Sequence, residues 1–426
     1  MAPVRALIIG AGNRGEMYAR FSLDNSERFQ VVGVADPEPF RRQRLQQEFN
    51  IPEENVFTDW QKAAEREKFA DCVVIATPDQ LHKAPAVVFA DRGYHMLLEK
   101  PMALTEEDCR EVVAACERNN VILSVGFVLR YSPHVRKIKE LIDSGAIGDI
   151  VHIQHMEPAG FWFFAHHFVR GDHRTTAGSC SSLLTKGSHD IDLIGYWLSG
   201  SRCVKVSSFG SLMHFRPENK PAGAGSRCVD CQVENTCPYS AKKIYLERVK
   251  QGLTDFPVSQ VCPQEPVDVE NLTEALRTGP YGRCVYECDN DVVSNQSVNF
   301  QFDGGQTVSF DMVGFTQEVC ERQTRISGTK GELRWSSPGP VYVYDFLTQT
   351  STEHPCAAAP PNKMREMHGG DYFLTDAFVK AVQTGDRSCV LTGPQETLQS
   401  HLLVFAAEQA RLQDRVITIN PDGSYS

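Results

Sequence analysis

Five short apolar runs, Val4–Ile9, Val31–Ala35, Cys72–Ala76, His95–Leu98 and Val121–Val125, alternate with amphipathic segments along the first 126 residues. Runs of this length, rich in β-branched residues and separated by helix-period stretches, read as strands buried on both faces and joined by helical crossovers. That order predicts an α/β domain built on a doubly wound parallel sheet. After Val125 the alternation stops. A helical period near Val135–Ser144 leads into the strand-like DIVHIQHMEP (149–158), and SVNFQFDGG turns into QTVSFDMVGF as a hairpin would. Two helical segments, GDYFLTDAFVKAVQTG and GPQETLQSHLLVFAAEQARLQD, follow. The pattern predicts two domains, 1–126 and 127–426, the second an α+β unit with a mainly antiparallel sheet.

Between the first two runs lies GAGNRGEMYARF, with Gly10, Gly12 and Gly15 in G-x-G-x-x-G spacing and Asn13 and Arg14 inside the turn. The motif follows a strand, opens a helix and precedes Asp36 at the end of the next strand, as a dinucleotide site requires. Gly10 allows the tight turn, Gly12 lets backbone approach a pyrophosphate, and Gly15 permits close helix-to-strand packing. Asp36 can accept from ribose hydroxyls and repels a 2′-phosphate, which favours NAD over NADP; Arg41 and Arg42 are the residues that an NADP site would use. Two further strand ends carry polar groups: Thr77-Pro78-Asp79, with His82 close behind, and Glu99-Lys100-Pro101. Proline cannot continue a ladder, so the chain leaves the sheet at Lys100, at the carboxyl ends where such sheets bind ligands.

Composition narrows the class. The chain has 426 residues, 41% hydrophobic and 23% charged, as soluble globular proteins do. Its net charge is -11 and no basic block tracks a phosphate backbone, which argues against a nucleic-acid partner. The first apolar run is too short for a signal peptide or a membrane span, so a cytoplasmic protein with no membrane partner is expected. In that compartment the 14 cysteines should be mostly thiols, and a cysteine cluster is more readily a metal site than a staple.

GAGNRG, ATPDQLH (76–82), EKP (99–101) and KGSHDIDLIGYWLSG (186–200), with ISGTKGELR (326–334), resemble the Gfo/Idh/MocA family, the glucose-fructose oxidoreductase and inositol dehydrogenase group. The resemblance implies a Rossmann domain, then an open-faced sheet domain that commonly mediates homo-oligomers, with the active site between them. It places Lys100 in the substrate cleft beside the nicotinamide and makes His189 the matching general base. The family often carries an aspartate four residues before that histidine; here the position is Thr185. The implied activity is hydride transfer between NAD and a secondary hydroxyl or carbonyl of a sugar or polyol.

The segment HMEPAGFWFFAHHFVRGDHRTTAGS (155–179) is rich in rings, histidine and arginine, a composition suited to sugars. His166, His167, Arg170 and Arg174 are its candidate substrate contacts, with Arg130 and Lys186 beside them; MHGGD (367–371) is a further candidate at the interface. An NAD-dependent glycosidase, which oxidises transiently and eliminates, is the rival enzyme and needs a second base from His155, His167 or Asp172. A non-enzymatic NAD(H)-sensing module is the other rival.

Residues 216–284 are too long for a structureless connection, so something must order them. They hold Cys228-x-x-Cys231, then Cys237, with Cys262 and Cys284 downstream. Three thiolates at this spacing with a distant fourth fit a structural zinc; an iron–sulfur cluster and free buried thiols are the alternatives. GPYGRC resembles the corresponding stretch of family members with a cysteine insertion, which implies Cys284 as fourth ligand ahead of Cys262.

Overall fold

The computed structural model describes residues 2–263, 266–356, 360–364, 369–421 and 423–426. Six parallel strands, β1 (Val4–Ile9), β2 (Phe29–Ala35), β3 (Val56–Phe57), β4 (Cys72–Ile75), β5 (His95–Leu98) and β6 (Leu123–Val125), lie in the order 3-2-1-4-5-6. This is the doubly wound order expected of the pattern, with its reversal between β1 and β4. The two-residue β3 is too short to leave a periodic signal. Helices Lys83–Asp91 and Glu106–Arg118 cover one face, where Phe89 and Val112 meet Val73, Met96 and Leu98 in a closed core.

The second sheet has nine strands: β7 (Ile150–Pro158), β8 (Cys203–Ser211), β9 (Asn295–Phe302), β10 (Thr307–Val313), β11 (Gln323–Gly328), β12 (Gly331–Ser336), β13 (Val341–Asp345), β14 (Thr350–His354) and β15 (Ile417–Thr418). Their order is 14-13-12-11-7-10-9-8-15, antiparallel except for the β7–β10 pair. β9 alternates buried Val298, Phe300 and Phe302 with exposed Ser297, Asn299 and Gln301, so one face is core and the other is open. The helix Ser188–Trp197 packs behind the core face.

The closing helix Pro394–Gln413 joins the halves: Leu398 and Leu402 enter the core of the first sheet, while Val404, Ala406 and Ala407 enter that of the second. The insertion is ordered by two apolar clusters, the first shared with the aromatic segment that precedes it. Phe164, Phe168, Phe215, Tyr239 and Tyr286 form one, and Ala241, Tyr245, Val258, Leu272 and Leu276 form another under the helix Val269–Thr278. Asp268 caps that helix through the Asn271 N–H at 2.8 Å.

Candidate functional site

At the β1–β4 reversal the three motif glycines do different work. Gly10 has φ +88°, and a Cβ there would lie 2.4 Å from the Ala76 carbonyl oxygen; one on Gly15 would lie 1.9 Å from the Gly10 oxygen. Gly12 is open, its nearest neighbour being the Arg41 guanidinium at 3.8 Å from a built Cβ. Asp36 is buried at the end of β2. Its carboxylate accepts from the Ala11 N–H at 2.7 Å and the Glu38 N–H at 2.8 Å, which fixes it against the glycine turn. Arg42 donates to the Asp36 and Pro37 carbonyls. These residues fit a dinucleotide: an open backbone cradle at a helix start, with a carboxylate at the neighbouring strand end.

Asn13 is exposed on the first turn of that helix. Arg14 turns inward, its Nε 2.5 Å from Glu99 and its Nη1 2.8 Å from Asp371, with the Tyr18 hydroxyl bridging to Glu99 at 2.6 Å. Burial pushes the Glu99 carboxyl up, but Arg14 and Lys100 outweigh it and hold it below the usual range. Of MHGGD, Met367 and His368 lie outside the described residues, and Asp371 begins the helix Asp371–Thr384.

Lys100 stands at the end of β5. Its Nζ donates to the Thr185 carbonyl at 2.7 Å, one turn before His189. Thr185 lies in the widened turn Leu183–Gly187 that feeds the helix Ser188–Trp197, and its hydroxyl meets the Cys180 thiol at 2.9 Å. His189 is buried, with its ring edge-on to Phe127 at 5.7 Å. The loop behind Lys100 is pinned twice. His82 sets one ring nitrogen 2.6 Å from the Pro101 oxygen and the other 2.9 Å from the Thr77 oxygen, and His401 accepts from the Met102 N–H at 2.9 Å.

Asp79 places a carboxylate near Lys100 and His173. Burial pushes it up, but Lys100, His173 and His82 hold it below the ordinary aspartate range. It accepts from the Ser179 hydroxyl at 2.9 Å, and Ser179 in turn meets His173 Nδ1 at 3.0 Å. His173 and Ser179 both lie in the histidine-rich segment, but no spacing in the sequence marks them as a pair.

Other expected contacts lie elsewhere. Arg130 is bidentate on buried Asp192 at 2.7 Å, with Ser400 on the same carboxylate, so it ties helices together rather than facing the cleft. His166 sits between Tyr245 (2.8 Å) and Gln260 (3.0 Å), and burial pushes it down to about 4. Arg174 pairs at the surface with Asp289 at 2.9 Å. His155 is locked between Thr324 and Asp190, which also binds Arg322, and so is closed to a substrate. Asp172 is exposed on the loop beside His173. His167 stacks on Phe256 at 5.5 Å, and buried Lys186 lies 3.2 Å from Glu157 and 3.0 Å from Cys320 Sγ.

Cys228, Cys231, Cys237 and Cys284 line one cavity of about 390 Å³; Cys262 is not in its lining and sits in the cluster around Leu272, which Cys228 also joins. Arg170 also lines this cavity. Its Nη2 is 3.3 Å from Cys228 Sγ and 2.8 Å from the Tyr239 oxygen, so it belongs to the insertion and not to a substrate. Among the described residues no group of three or more His, Cys, Asp or Glu side chains is placed as a metal site.

Two family models match this chain: the oxidoreductase family with NAD-binding Rossmann fold over residues 4–127, and the GFO/IDH/MocA C-terminal domain over 135–237. The chain belongs to the Gfo/Idh/MocA family. It is an NAD-binding oxidoreductase. Among Gfo/Idh/MocA relatives, the putative oxidoreductase YteT of Bacillus subtilis is 26% identical over 341 residues, 76% of each chain. The 2,7-anhydro-N-acetylneuraminate hydratase of Mediterraneibacter gnavus is 34% identical over 152 residues, 36% of this chain and 39% of the hydratase. The solved scyllo-inositol dehydrogenase of Lactobacillus casei, with bound NAD(H) and scyllo-inositol, shares the fold at TM-score 0.66 and 18% identity, covering 98% of this chain and 99% of that one. No helix among the described residues is long and apolar enough to cross a membrane.

Proposed function

We propose that this chain interconverts a secondary hydroxyl and its carbonyl on a sugar or polyol. The observation that carries the reading is the Lys100 ammonium, held by the Thr185 carbonyl one turn before His189 at the mouth of the glycine-lined crevice. Bound NAD supplies the hydride acceptor. Lys100 holds the substrate oxygen and steadies its developing charge, and His189 takes the hydroxyl proton. Asp79 keeps negative charge beside Lys100 in the place of the missing aspartate. Buried Asp36 at the end of β2 supports NAD over NADP. Replacing Lys100 by Met should abolish turnover and leave NADH binding nearly unchanged; normal turnover would remove Lys100 from the mechanism. A second reading keeps this chemistry and adds elimination and hydration, supported by the alignment with the hydratase.

Zinc bound by Cys228, Cys231, Cys237 and Cys284 is proposed for the insertion. Arg170 supports it: a buried guanidinium that faces sulfurs, with no carboxylate partner among the described residues, suits the excess negative charge of four thiolates around Zn²⁺. Metal analysis of protein purified without added metal should find about one zinc per chain; fully folded metal-free protein would overturn this. The exposed rings of Phe209, Tyr342 and Tyr344 support pairing of copies through the open sheet, which sedimentation would test. No two of the cysteines are joined as a disulfide among the described residues, which supports the reducing cytoplasm as the proposed location.

A further inference from the structure

We infer that His173 is a second acid–base group of the cleft, oriented by Asp79 through Ser179, and that it removes and returns the proton on the carbon next to a carbonyl in a keto sugar or keto polyol. The inference rests on the sugar or polyol reading above.

A short relay through Ser179 to Asp79 fixes the imidazole. His173 Nδ1 lies 3.0 Å from Ser179 Oγ, Ser179 Oγ lies 2.9 Å from Asp79 Oδ2, and the direct separation of ring and carboxylate is 3.7 Å. A carboxylate only accepts, so the single Ser179 hydroxyl proton goes to Asp79 and the serine oxygen accepts the N–H of His173 Nδ1. The lone pair is thereby assigned to Nε2, which bonds to none of the described residues. The His173 side chain is 30% exposed against 12% for Asp79, so the ring is reachable while its anchor is covered. Lys100 and Asp79 face it from the strand ends, His167 from the aromatic turn at 6.0 Å between rings, and Asp172 from its own loop. Burial holds the imidazole below its ordinary value, partly offset by Asp79, which leaves it in the base form at neutral pH.

Oxidation of a secondary hydroxyl engages one proton, that on oxygen, and Lys100 with His189 provides for it. A separately oriented base with a free nitrogen serves another atom. The carbonyl made by oxidation acidifies the adjoining C–H, the one carbon-bound proton that an imidazole can take. His173 Nε2 removes that proton, the C–H pair becomes the C=C of an enolate, and Lys100 holds the enolate oxygen. Return of the proton reverses the step. Where the next carbon bears an oxygen substituent, the enolate pair expels it, the C–O bond breaks and an enone forms. The proton on His173 then passes to the leaving oxygen, so no oxidant or reductant is consumed beyond the one that made the ketone.

The test uses NAD⁺-loaded protein in D₂O with an inosose and a 3-keto pyranoside, since NAD⁺ cannot reduce either. Loss of the proton signal next to the carbonyl is followed by NMR, and NADH-dependent reduction of the same ketones is measured separately. Wild type should exchange that proton about 100-fold faster than buffer, and His173→Gln should lose most of this gain while NADH titration stays within about twofold. The ratio of exchange to reduction should fall about tenfold or more. Ser179→Ala should slow exchange and shift the midpoint of its pH profile downward, because the link to Asp79 is cut. Wild-type reduction without exchange, or wild-type exchange by His173→Gln, would overturn the inference and leave the oxidoreductase reading standing. Failure of wild type to reduce either ketone removes the sugar or polyol reading, and this inference with it.

Discussion

In the crevice at the ends of β1 and β4 the working surface is backbone, cleared by Gly10, Gly12 and Gly15 and steadied by one buried carboxylate, Asp36. In the insertion, 216–284, the order comes from side chains that meet across long stretches of sequence: Arg170 with Cys228, and His166 with Tyr245 and Gln260. The first arrangement tolerates almost any chemistry nearby and no added volume. The second has room, a cavity of about 390 Å³, and no tolerance for a lost partner. One region fails by crowding and the other by deletion.

The largest expected effect tests the crowding limit. Gly15→Val puts carbon 1.9 Å from the Gly10 oxygen, and calorimetry should show NADH affinity falling about 100-fold, about 2.7 kcal/mol, with amide protection of the insertion unchanged. Deletion is tested next. Cys231→Ser should lose the metal and speed amide exchange across 216–284 about 30-fold, about 2 kcal/mol, while NADH affinity holds.

An effect of similar size comes from His401, which ties the closing helix to the Lys100 loop. Burial pushes this histidine down to about 4, with Lys100 and His82 adding to the shift against the Thr397 carbonyl. As pH falls below 6.5 the unfolded chain takes the proton first, so the stability due to the neutral ring is full above 6.5 and is lost towards 4. An imidazolium cannot accept from the Met102 N–H, whereas a glutamine amide can at any pH. Between pH 7.5 and 5, wild type should therefore lose on the order of 2 kcal/mol more than His401→Gln in chemical denaturation. The smallest effect is Asp36→Ala, which should erase a roughly tenfold preference for NADH over NADPH, about 1.4 kcal/mol; an unchanged ratio would shift specificity to Arg41.

What could be read from sequence follows the same division. Strands β1, β4 and β5, the glycine turn and the strand-end Lys100 are set by residues within a few positions of each other, and the structure places them at one crevice. β3 was too short to show a period. The contacts that went astray are those whose partner lies far along the chain. Sequence alone offers Arg130 and Arg170 as substrate ligands, whereas Asp192, 62 residues on, holds the first and Cys228 the second. Likewise the Asp79–Ser179 contact spans 100 residues. A histidine near aromatics carries no mark that separates a locked residue such as His155 from an open one such as His173. Burial and the chemistry of the partner decide, and both are tertiary.

The closing helix also fixes when the protein can first work during its own synthesis. Ser124 on the edge strand β6 bonds to Thr392, 268 residues later, and Met102 behind Lys100 bonds to His401, 299 residues later. At about 5–20 residues per second the parallel sheet waits on the order of 15–60 s on the ribosome before these partners exist. During that interval the flank of β6 is uncovered and the lysine loop lacks its pin. The nascent chain therefore holds the glycine turn and Asp36 well before the Lys100 loop gains its pin from the closing helix.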